Sequence, residues 1–575
     1  MLKTTFGWEK YREITDTFFN HNETNDIRKR LENMEIRHVV FCSFESRFAS
    51  SGGLGAITKK ILPYLKNREG IQRTLLITPF YPHIIDERKL IATGISCKVI
   101  FANKTIAVEI LKYFPQNDGG IEEYYLKAAG FFDSRNPIND PYGYYPDDPQ
   151  KNDAVIRHNS LFFCKAVPLV LSTLGIRKNI IFHLQEWQTT LIALTSKKAL
   201  FDGTLISCAC VQTIHNPFDS WIPFTSQVEL LPNTTSREHP AINMRSGLTA
   251  YQIGLQLMDA PLTTVSVHFA EELNSDPLQT EHFAPHLRNI FNRSTIVGIN
   301  NGMFIDFPQE YSQKEKRFIP EIKKIKNNKR SALLTILDTY HPPERFGELT
   351  FQSQSITRLP GYIPILVMSG RLDPFQKGFD ILLRAVEKFG KDEIKVVICP
   401  LPIKSSDMDY FYEIADKCKG NITVFPIRMG KGYQELQMGS TFGIMPSIYE
   451  PFGAAVEYMV SGTITIARKT GGLIDQVIDN RCGFLFREKP ETYTSNNIRA
   501  FAETSGNVRL RKGNPWVESM ANTLADTIRK AADIFKHHPD KYYEMIAEGF
   551  KHANSFTWDK TAEKYFQVFK KIKGD

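Results

Sequence analysis

A single carboxylate, Glu450, lies in a loop whose neighbours suit a rigid site. It follows the apolar segment 441–445, and Pro451 and Gly453 shape the backbone directly after it. A carboxylate held at the end of a buried strand can bind a sugar hydroxyl or stabilise positive charge that develops at an anomeric carbon. It can also simply cap the helix that the next residues predict. The residue types alone leave both possibilities open.

Two cations, Arg371 and Lys377, flank the start of a predicted helix. Arg371 ends the predicted strand 363–372, and Lys377 precedes apolar positions of helical spacing that continue to Phe389. Arginine offers a planar fork of N–H groups, lysine offers a point charge, and a helix start offers free backbone amides. Together these groups can hold a diphosphate. Either cation alone would be an ordinary surface residue.

Two glycine turns repeat the order strand, turn, helix. The turn Gly52–Leu54 follows the β-rich segment 37–45, and the turn Thr470–Gly472 follows the predicted strand 463–468. Backbone amides at such turns can face an anion. For the first turn, a tight connection in which glycine serves only the backbone conformation is at least as good an explanation. The turn Thr470–Gly472 would be a second anion site beside that of Arg371 and Lys377, and two such sites facing one cleft would share one diphosphate.

Polar residues also cluster at the ends of two predicted strands, within segments 179–188 and 205–216. They are His183, Gln185, Glu186, Gln188, His215 and Asn216. Ligands of open α/β sheets bind outside the carboxyl ends of the strands. A lone histidine at such a place is more often structural, but several polar ends in one half of the chain favour a site.

Length and composition favour a protein of two domains. The chain has 575 residues, of which 42% are hydrophobic and 23% charged, so it exceeds the size of one core and is not disordered. Its apolar runs are too short to span a membrane, and its first residues lack the pattern of a secretory signal. The eight cysteines form no C-x-x-C pairs, which indicates reduced core residues and a cytoplasmic protein.

The charge does not indicate a nucleic-acid partner. The formal net charge of +8 arises from 71 basic and 63 acidic residues, and no basic run is interleaved with aromatic residues. A solvated surface explains this charge better than a polyanion does. The densest basic cluster, KKIKNNKR at 323–330, is expected to be the exposed face of a helix.

Short apolar strands alternate with helical segments in both halves, which predicts two doubly wound parallel sheets with a cleft between them as the favoured ligand site. The predicted strands lie in 37–45, 72–82, 179–187, 205–216, 262–269, 296–308, 363–372, 393–402, 421–427, 441–447 and 463–468. The boundary is placed near residue 300, giving an N-terminal domain 1–300, a C-terminal domain 301–545 and a final helical segment 546–575. Residues 120–150 are expected to form a long functional loop.

The stretch from Pro446 to Val477 carries a resemblance to a known family. Its sequence, PSIYEPFGAAVEYMVSGTITIARKTGGLIDQV, is similar to the donor-site block of bacterial and plant glycogen and starch synthases. Further landmarks of that family occur in the same order over residues 37 to 565. They are SSGGLG from Ser50, HLQEWQ from His183, TIHN from Thr213, TVS from Thr264, GINNG from Gly298, SGRLDPFQKG from Ser369 and FTWD from Phe556. Each motif is weak alone, but the ordered set is specific.

The resemblance implies a retaining glycosyltransferase of the GT-B fold, with two Rossmann-like domains facing across a deep cleft. It implies that Arg371 and Lys377 bind the diphosphate of the sugar donor, and that Glu450 is the essential acidic residue near the transferred sugar. The other donor-binding positions that it implies are Gly52, Gly53, Leu54, Gln188, Phe452, Gly453, Tyr458, Thr470, Gly471 and Gly472. Members of the family need no metal or other cofactor, and their last helix crosses back to the N-terminal domain.

Several positions depart from the family pattern. Ser50 and Ser51 stand where the family has a lysine before the glycine loop, and Gln185 and Gln188 stand where it has histidines. Glutamine can still hydrogen-bond a hydroxyl group, but it carries no charge. These differences lie in the N-terminal half of the chain, whereas the donor-domain motifs are complete.

The expected reaction is transfer of glucose from a nucleotide diphosphate, ADP- or UDP-glucose, to the non-reducing end of an α-1,4-glucan. The expected partners are therefore a nucleotide-sugar and a glucan or oligosaccharide acceptor, with no nucleic acid and no integral membrane segment. Two alternatives remain open from sequence. One is a related transferase that builds another oligosaccharide or surface glycan, and the other is a catalytically weakened carbohydrate- or nucleotide-binding protein.

Overall fold

The computed structural model of the chain describes residues 19–50, 52–114, 120–133, 149–222, 248–340, 345–346, 349–350, 360–402, 405–418, 420–425 and 432–573. The chain divides into two compact units. The first comprises Met1–Val265, Leu273–Gly302 and Trp558–Asp575, and the second comprises Ser266–Glu272 and Met303–Thr557. Each unit is built around its own mainly parallel sheet, so the fold is α/β with two Rossmann-like units.

The strands of the first unit are β1 (His38–Cys42), β2 (Arg73–Pro79), β3 (Ile91–Phe101), β4 (Lys104–Tyr113), β5 (Glu122–Ala128), β6 (Ile180–Gln185), β7 (Cys208–Ile214), β8 (Trp221–Ile222), β9 (Leu248–Thr249), β10 (Leu262–Thr264) and β11 (Ile296–Gly298). All except β8 and β9 form one sheet in the order β11-β10-β7-β6-β1-β2-β5-β4-β3. Neighbours from β11 to β5 are parallel, and β4 and β3 continue the sheet as antiparallel strands.

The central strands of this sheet are buried because helices cover parallel sheets on both faces. All residues of β6 and β7 are buried, as are all residues of β1 except His38. This burial is the physical reason why continuous apolar runs in the sequence predicted these strands. The polar residues that follow β6 and β7 therefore lie at the carboxyl edge of the sheet.

The helices that accompany the first sheet are His21–Glu32, Gly53–Lys66, Pro149–Thr173, Trp187–Thr190, Ile192–Phe201, Ala250–Gly254, Arg288–Arg293 and Trp558–Lys570. Helix Val267–Ser275 begins in the second unit and ends in the first. Gly302 has no space for a side chain, because a Cβ there would lie 2.5 Å from Trp558 N. The C-terminal helix thus packs closely on the end of the first unit.

The strands of the second unit are β12 (Arg345–Phe346), β13 (Leu349–Thr350), β14 (Ile365–Arg371), β15 (Lys395–Leu401), β16 (Ile422–Val424), β17 (Phe442–Met445), β18 (Ile464–Arg468) and β19 (Gly483–Phe486). The last six form one sheet in the order β16-β15-β14-β17-β18-β19, in which every pair of neighbours is parallel. Strands β14 and β17 lie side by side at its centre, so the loops that follow them emerge at the same edge.

The helices of the second unit are Ile319–Thr339, Phe379–Val386, Asp409–Lys417, Tyr433–Gly439, Ala455–Val460, Gly471–Gln476, Ser495–Ala502, Pro515–His537 and Pro539–Ala553. The sequence-based division at residue 546 falls inside the last of these, and the second unit continues to Thr557. The division near residue 300 lies beside Gly302, where the first unit gives way to the second.

The expectation that residues 120–150 form one long loop is wrong at both ends. Residues 122–128 form β5, which pairs with β2 and β4, and a helix begins at Pro149. The expectation came from the many Tyr, Asp, Asn and Pro residues of this segment, but in β5 Glu122 is bound by Arg73 and Lys112, and Glu123 by Arg47. Residues 134–148 lie outside the described part of the chain.

Two further expectations about individual elements need correction. The predicted strand 262–269 ends at Thr264, and Val267 starts a helix. The basic cluster 323–330 is helical, as predicted, but it is not only an exposed face. Lys326 is 3% exposed and Arg330 is 9% exposed, because both side chains turn inward to bind backbone carbonyls.

One described helical stretch, Ala154–Thr173, has the length and apolar composition of a membrane span, and 61% of that window is buried inside the protein. A buried core helix passes the same test. None of the eight cysteines forms a disulfide, and six of them are buried, which agrees with their interpretation as core residues.

Candidate active site

The Glu450 carboxylate is held inside the second unit by three hydrogen bonds. It is 4% exposed. Lys377 Nζ lies 3.0 Å from Oε1 and 2.8 Å from Oε2, and Ser447 Oγ donates to Oε2 at 2.9 Å. The cation that sequence assigned to a diphosphate and the carboxylate that it assigned to a sugar are thus in direct contact.

The backbone of the loop that carries Glu450 is also fixed. Four of its carbonyl groups accept a hydrogen bond from outside the loop. The Ile448 carbonyl accepts from Arg468 Nη1 at 2.6 Å and the Glu450 carbonyl from Gly472 N at 2.9 Å. The Pro451 carbonyl accepts from Ser266 Oγ and the Phe452 carbonyl from Gln476 Nε2. A loop with so many external partners has little freedom to change conformation. It presents the carboxylate in a preorganised position.

A buried ion pair supports this loop from beneath. Arg468, at the end of β18, binds Glu488 through two hydrogen bonds of 2.9 and 2.5 Å. Burial alone would raise the pKa of the Glu488 carboxyl, but the Arg468 guanidinium outweighs it and the pKa is lowered. Arg468 therefore stays charged and bound to Glu488, and its Nη1 group donates to the Ile448 carbonyl.

The loop between β14 and helix Phe379–Val386 carries Lys377 to Glu450. Gly378 has a φ of +67°, and a Cβ there would lie 2.1 Å from Pro446 O, so the position requires glycine. Ile448 N donates to Gln376 O at 2.7 Å, which ties the two loops together. Arg371 is the last residue of β14 and is partly buried.

The turn Thr470–Gly472 packs on the Glu450 loop, and its polar groups already have partners. Gly472 N donates to Glu450 O, while Gly471 N and Thr470 Oγ1 donate to Glu272 Oε1 at 2.7 and 3.0 Å. Glu272 was not among the site residues that the sequence predicted. Only its place shortly after the TVS motif could have indicated it, because the contact spans about two hundred residues of chain.

The remaining predicted positions of the second unit lie in or under the same loop. Phe452 is buried, with its ring centroid 5.9 Å from that of Phe304. Gly453 has a φ of +90°. Tyr458 lies beneath β17, where the missing side chain of Gly443 makes room for its ring, and burial raises the pKa of its hydroxyl group. The side chains of Phe452 and Tyr458 therefore belong to the core.

The glycine loop of the first unit holds one of the chain's own carboxylates. Gly52 N and Gly55 N donate to Glu45 Oε2 at 3.2 and 2.9 Å, and Ser50 Oγ donates to Gly52 O at 2.9 Å. Gly52 and Gly53 are exposed, whereas Leu54 is buried. Ser51 lies outside the described residues.

The polar residues at the ends of β6 and β7 are buried or half-buried. Burial lowers the pKa of His183 and of His215 to about 3, so both imidazoles are neutral, and His215 Nε2 lies 2.8 Å from Gln185 Oε1. Gln188 is 4% exposed. Burial raises the pKa of Glu186 to about 8 although Tyr251 Oη and Asn216 N both donate to its carboxylate.

The predicted site residues divide between the two units. Those that the structure joins around Glu450, all in the second unit, are Lys377, Phe452, Gly453, Thr470, Gly471 and Gly472. Arg371 and Tyr458 lie on neighbouring elements of the same unit, and Gly52, Gly53, Leu54 and Gln188 belong to the first unit. Within the described residues, no three His, Cys, Asp or Glu side chains form a group that could hold a metal ion.

Two family models match the chain, one in each half. Residues 38–289 match the model of the starch synthase catalytic domain, and residues 352–512 match that of the group 1 glycosyl transferases. The first match covers the glycine loop and the polar strand ends of the first unit. The second covers Arg371, Lys377, Glu450 and the glycine turn of the second unit.

Similar proteins match over nearly the whole chain. A glycogen synthase of Lactococcus lactis is 24% identical over 554 residues, which covers 93% of this chain and 100% of that protein. A glycogen synthase of Clostridium botulinum is 27% identical over 567 residues, covering 93% and 99%. Among solved structures, the catalytic domain of starch synthase IV from Arabidopsis thaliana, bound to ADP and acarbose, has a TM-score of 0.68 at 18% identity and covers 94% of this chain and 100% of that one.

Proposed function

The chain belongs to the glycogen and starch synthase family of GT-B glycosyltransferases, and we propose that it transfers glucose from a nucleotide diphosphate to the non-reducing end of an α-1,4-glucan. Full-length similarity to glycogen synthases supports the reaction class. The structural observation that carries the proposal is the contact between Lys377 and Glu450 within a loop in which four backbone carbonyl groups accept hydrogen bonds from other elements.

In the proposed reaction, the bond between the anomeric carbon and the diphosphate breaks, and a glucan hydroxyl forms the new bond on the same face of the sugar. Negative charge develops on the departing diphosphate and positive charge on the sugar ring. Lys377 and Arg371 stabilise the first of these charges. Glu450 stabilises the second, or orients the sugar through a hydroxyl group. The proposal needs no metal ion, since these cations meet the charge of the diphosphate.

The rigidity of the Glu450 loop supports this assignment over a merely structural carboxylate. A helix cap needs only an oxygen near backbone amides, whereas Glu450 accepts from a lysine and a serine side chain and from no backbone amide of the helix that follows. A preorganised charge pair at the carboxyl edge of a parallel sheet is what a transferase site requires.

The test is to incubate the purified protein with ADP-glucose and, separately, with UDP-glucose, with and without glycogen, and to measure nucleotide release and glucan extension. We expect release that depends on glycogen and extension of its chains. Release that is independent of glycogen would contradict the α-glucan acceptor. An absence of release with either nucleotide-sugar would contradict the transferase assignment and favour a binding protein. Comparison of the two donors identifies the nucleotide.

A further inference from the structure

A short segment from the middle of the chain is bound to both sides of the Glu450 loop. The second unit includes Ser266–Glu272. Ser266 Oγ donates to Pro451 O, next to Glu450. Six residues later, Glu272 Oε1 accepts hydrogen bonds from Gly471 N and Thr470 Oγ1. The segment thus contacts the loop that carries the carboxylate and the turn that supports that loop.

Asp475 fixes the start of this segment. Its Oδ2 accepts from Val267 N at 2.9 Å and from His268 N at 3.2 Å, and its Oδ1 lies 2.7 Å from His268 Nδ1. Side-chain capping of this kind satisfies backbone amides that a helix start leaves unpaired. The segment is therefore an ordered part of the second unit, and Glu272 contacts the glycine turn from a helix whose start is held by Asp475.

The glycine turn is in direct backbone contact with Glu450, so a shift of the turn would also shift the Glu450 peptide group. Gly471 has a φ of +44°, and a Cβ there would lie 2.1 Å from Glu450 O, so the two backbones are in van der Waals contact. The next amide, Gly472 N, donates to the same carbonyl at 2.9 Å. Adjacent glycines are conformationally permissive, so the turn needs an external partner to keep one conformation. Glu272 supplies that partner at two points.

We infer that Glu272 is a positioning residue for the proposed sugar transfer. Its carboxylate holds the Thr470–Gly471 turn, and the turn holds the peptide group of Glu450. This inference rests on the proposed function, since it concerns the geometry of the same site. Glu272 is assigned no contact with the reacting atoms.

A carboxylate suits this role better than a neutral group does. One oxygen accepts both a backbone amide and a hydroxyl group, at 2.7 and 3.0 Å, and hydrogen bonds to an ionised acceptor are about twice as strong as neutral ones. Glutamine has the same length and one acceptor oxygen, so it should keep part of the effect. Alanine removes both hydrogen bonds and leaves the turn without its partner.

The test compares Glu272→Ala, Glu272→Gln and the matched control Glu271→Ala, an exposed glutamate on the same helix. A displacement of about 1 Å at a catalytic group lowers turnover about 100-fold, so we expect a loss of that order in kcat for Glu272→Ala. KM for the nucleotide-sugar should change little, Glu272→Gln should recover part of the turnover, and Glu271→Ala should behave as the parent. A fall in KM for the nucleotide-sugar in Glu272→Ala would overturn the inference, because it would identify Glu272 as a competitor of the diphosphate.

Amide hydrogen exchange tests the positioning itself and does not require turnover. In Glu272→Ala we expect faster exchange in peptides that contain residues 448–453 and 470–476, by about tenfold or more, and no change in Glu271→Ala. Unaltered exchange in these peptides would overturn the inference even if the enzyme were active. Faster exchange in a protein that transfers no glucose would contradict the proposed function and leave the positioning role supported.

Discussion

At the scale of single residues, Lys377 and Glu450 form an ion pair whose carboxylate is buried and held in one position. Glu450 has 5% of its side chain exposed and Lys377 has 23%, so the carboxylate is the more deeply buried partner. A buried carboxylate that loses its cation still has the unfavourable desolvation free energy, but it no longer has the attraction of the ion pair that offset it. The two residues should therefore respond differently to removal, although both belong to the same proposed site.

The variants Lys377→Ala and Glu450→Gln are predicted to lower turnover by orders of magnitude, because each removes charge that the transition state needs. Lys377→Ala should also lower the free energy of unfolding by about 1–2 kcal/mol, since among the described residues the Glu450 carboxylate would keep only its hydrogen bond from Ser447, and water reaches it through the space that lysine leaves. Glu450→Gln keeps the bond with Ser447 and should be less destabilised. Steady-state kinetics and urea unfolding measure both effects; turnover near that of the parent in Glu450→Gln would remove Glu450 from the mechanism.

A second prediction at this scale concerns the pH dependence of stability. Burial raises the pKa of Glu186 to about 8, well above the ordinary value of a glutamate, which is about 4.5. The folded state thus holds the proton more tightly than the unfolded state. The resulting stabilisation is complete below about pH 4.5 and is lost as the pH rises to about 8, at roughly 1.4 kcal/mol per unit.

The variant Glu186→Gln mimics the protonated carboxyl and should lack this dependence. We expect the difference in the free energy of unfolding between Glu186→Gln and the parent to grow in favour of the variant between pH 5 and pH 8. Chemical denaturation at several pH values measures it. Glu69→Gln, which removes an exposed charge, is the control. A difference that stays constant over this range would contradict the raised pKa.

At the scale of elements, helix Ile319–Thr339 shows how a basic cluster can be structural. Lys326 Nζ donates to Met438 O at 2.7 Å, to Ser440 O at 2.6 Å and to Thr463 Oγ1 at 2.9 Å. The first two acceptors lie at the C-terminal end of helix Tyr433–Gly439, where the helix dipole favours a cation. One side chain thus joins two helices to the start of β18.

The variant Lys326→Met should lower the free energy of unfolding by about 3 kcal/mol, because it leaves the buried carbonyl groups of Met438 and Ser440 without this partner. Lys324→Met, on the exposed face of the same helix, is the matched control and should change stability by about 0.5 kcal/mol or less. Equilibrium unfolding in urea compares the two. Equal stabilities would show that Lys326 contributes no more than a solvated lysine.

The elements also show what sequence can and cannot predict. Strands such as β6 and β7 were predictable because burial on both faces demands continuous apolar runs. Strand β5 was not, because its acidic residues are paired with Arg47, Arg73 and Lys112, which lie on other elements. Lys326 was expected to be solvated because the groups that bind it are also distant in sequence. Its partners follow it by more than a hundred residues.

In the candidate site, too, some residues could be predicted from local sequence patterns and others could not. The types and order of Arg371, Lys377 and Glu450 predicted one site, and the structure brings Lys377 and Glu450 into contact. The contribution of Glu272 was not predictable, because a glutamate on a helix has no local feature that indicates a distant glycine turn. Local patterns indicate which residues carry chemistry, whereas the residues that hold them in place are found only in the folded chain.

At the scale of the whole molecule, the first unit is discontinuous in sequence. It is completed by the C-terminal segment from Trp558 onward. Tyr565 lies 4.6 Å from the His183 ring and Phe569 lies 5.5 Å from it, between ring centroids, and both are almost fully buried. The C-terminal segment is therefore part of the hydrophobic core of the first unit, and most of the second unit precedes this segment in the sequence.

This connectivity predicts that residues 1–302 alone do not form a stable domain. Burying a large apolar side chain contributes about 1.5–3 kcal/mol, so loss of Trp558, Tyr565 and Phe569 would remove much of a typical domain stability of about 5–15 kcal/mol. The fragment should aggregate or show no cooperative thermal unfolding. Joining residues 558–575 to it through a flexible linker should restore a cooperative transition, whereas the same fusion carrying Tyr565→Asp and Phe569→Asp should not. A fragment 1–302 that unfolds cooperatively by itself would show that the first sheet has a complete core without the C-terminal helix, and that the return of the chain serves another purpose than stability.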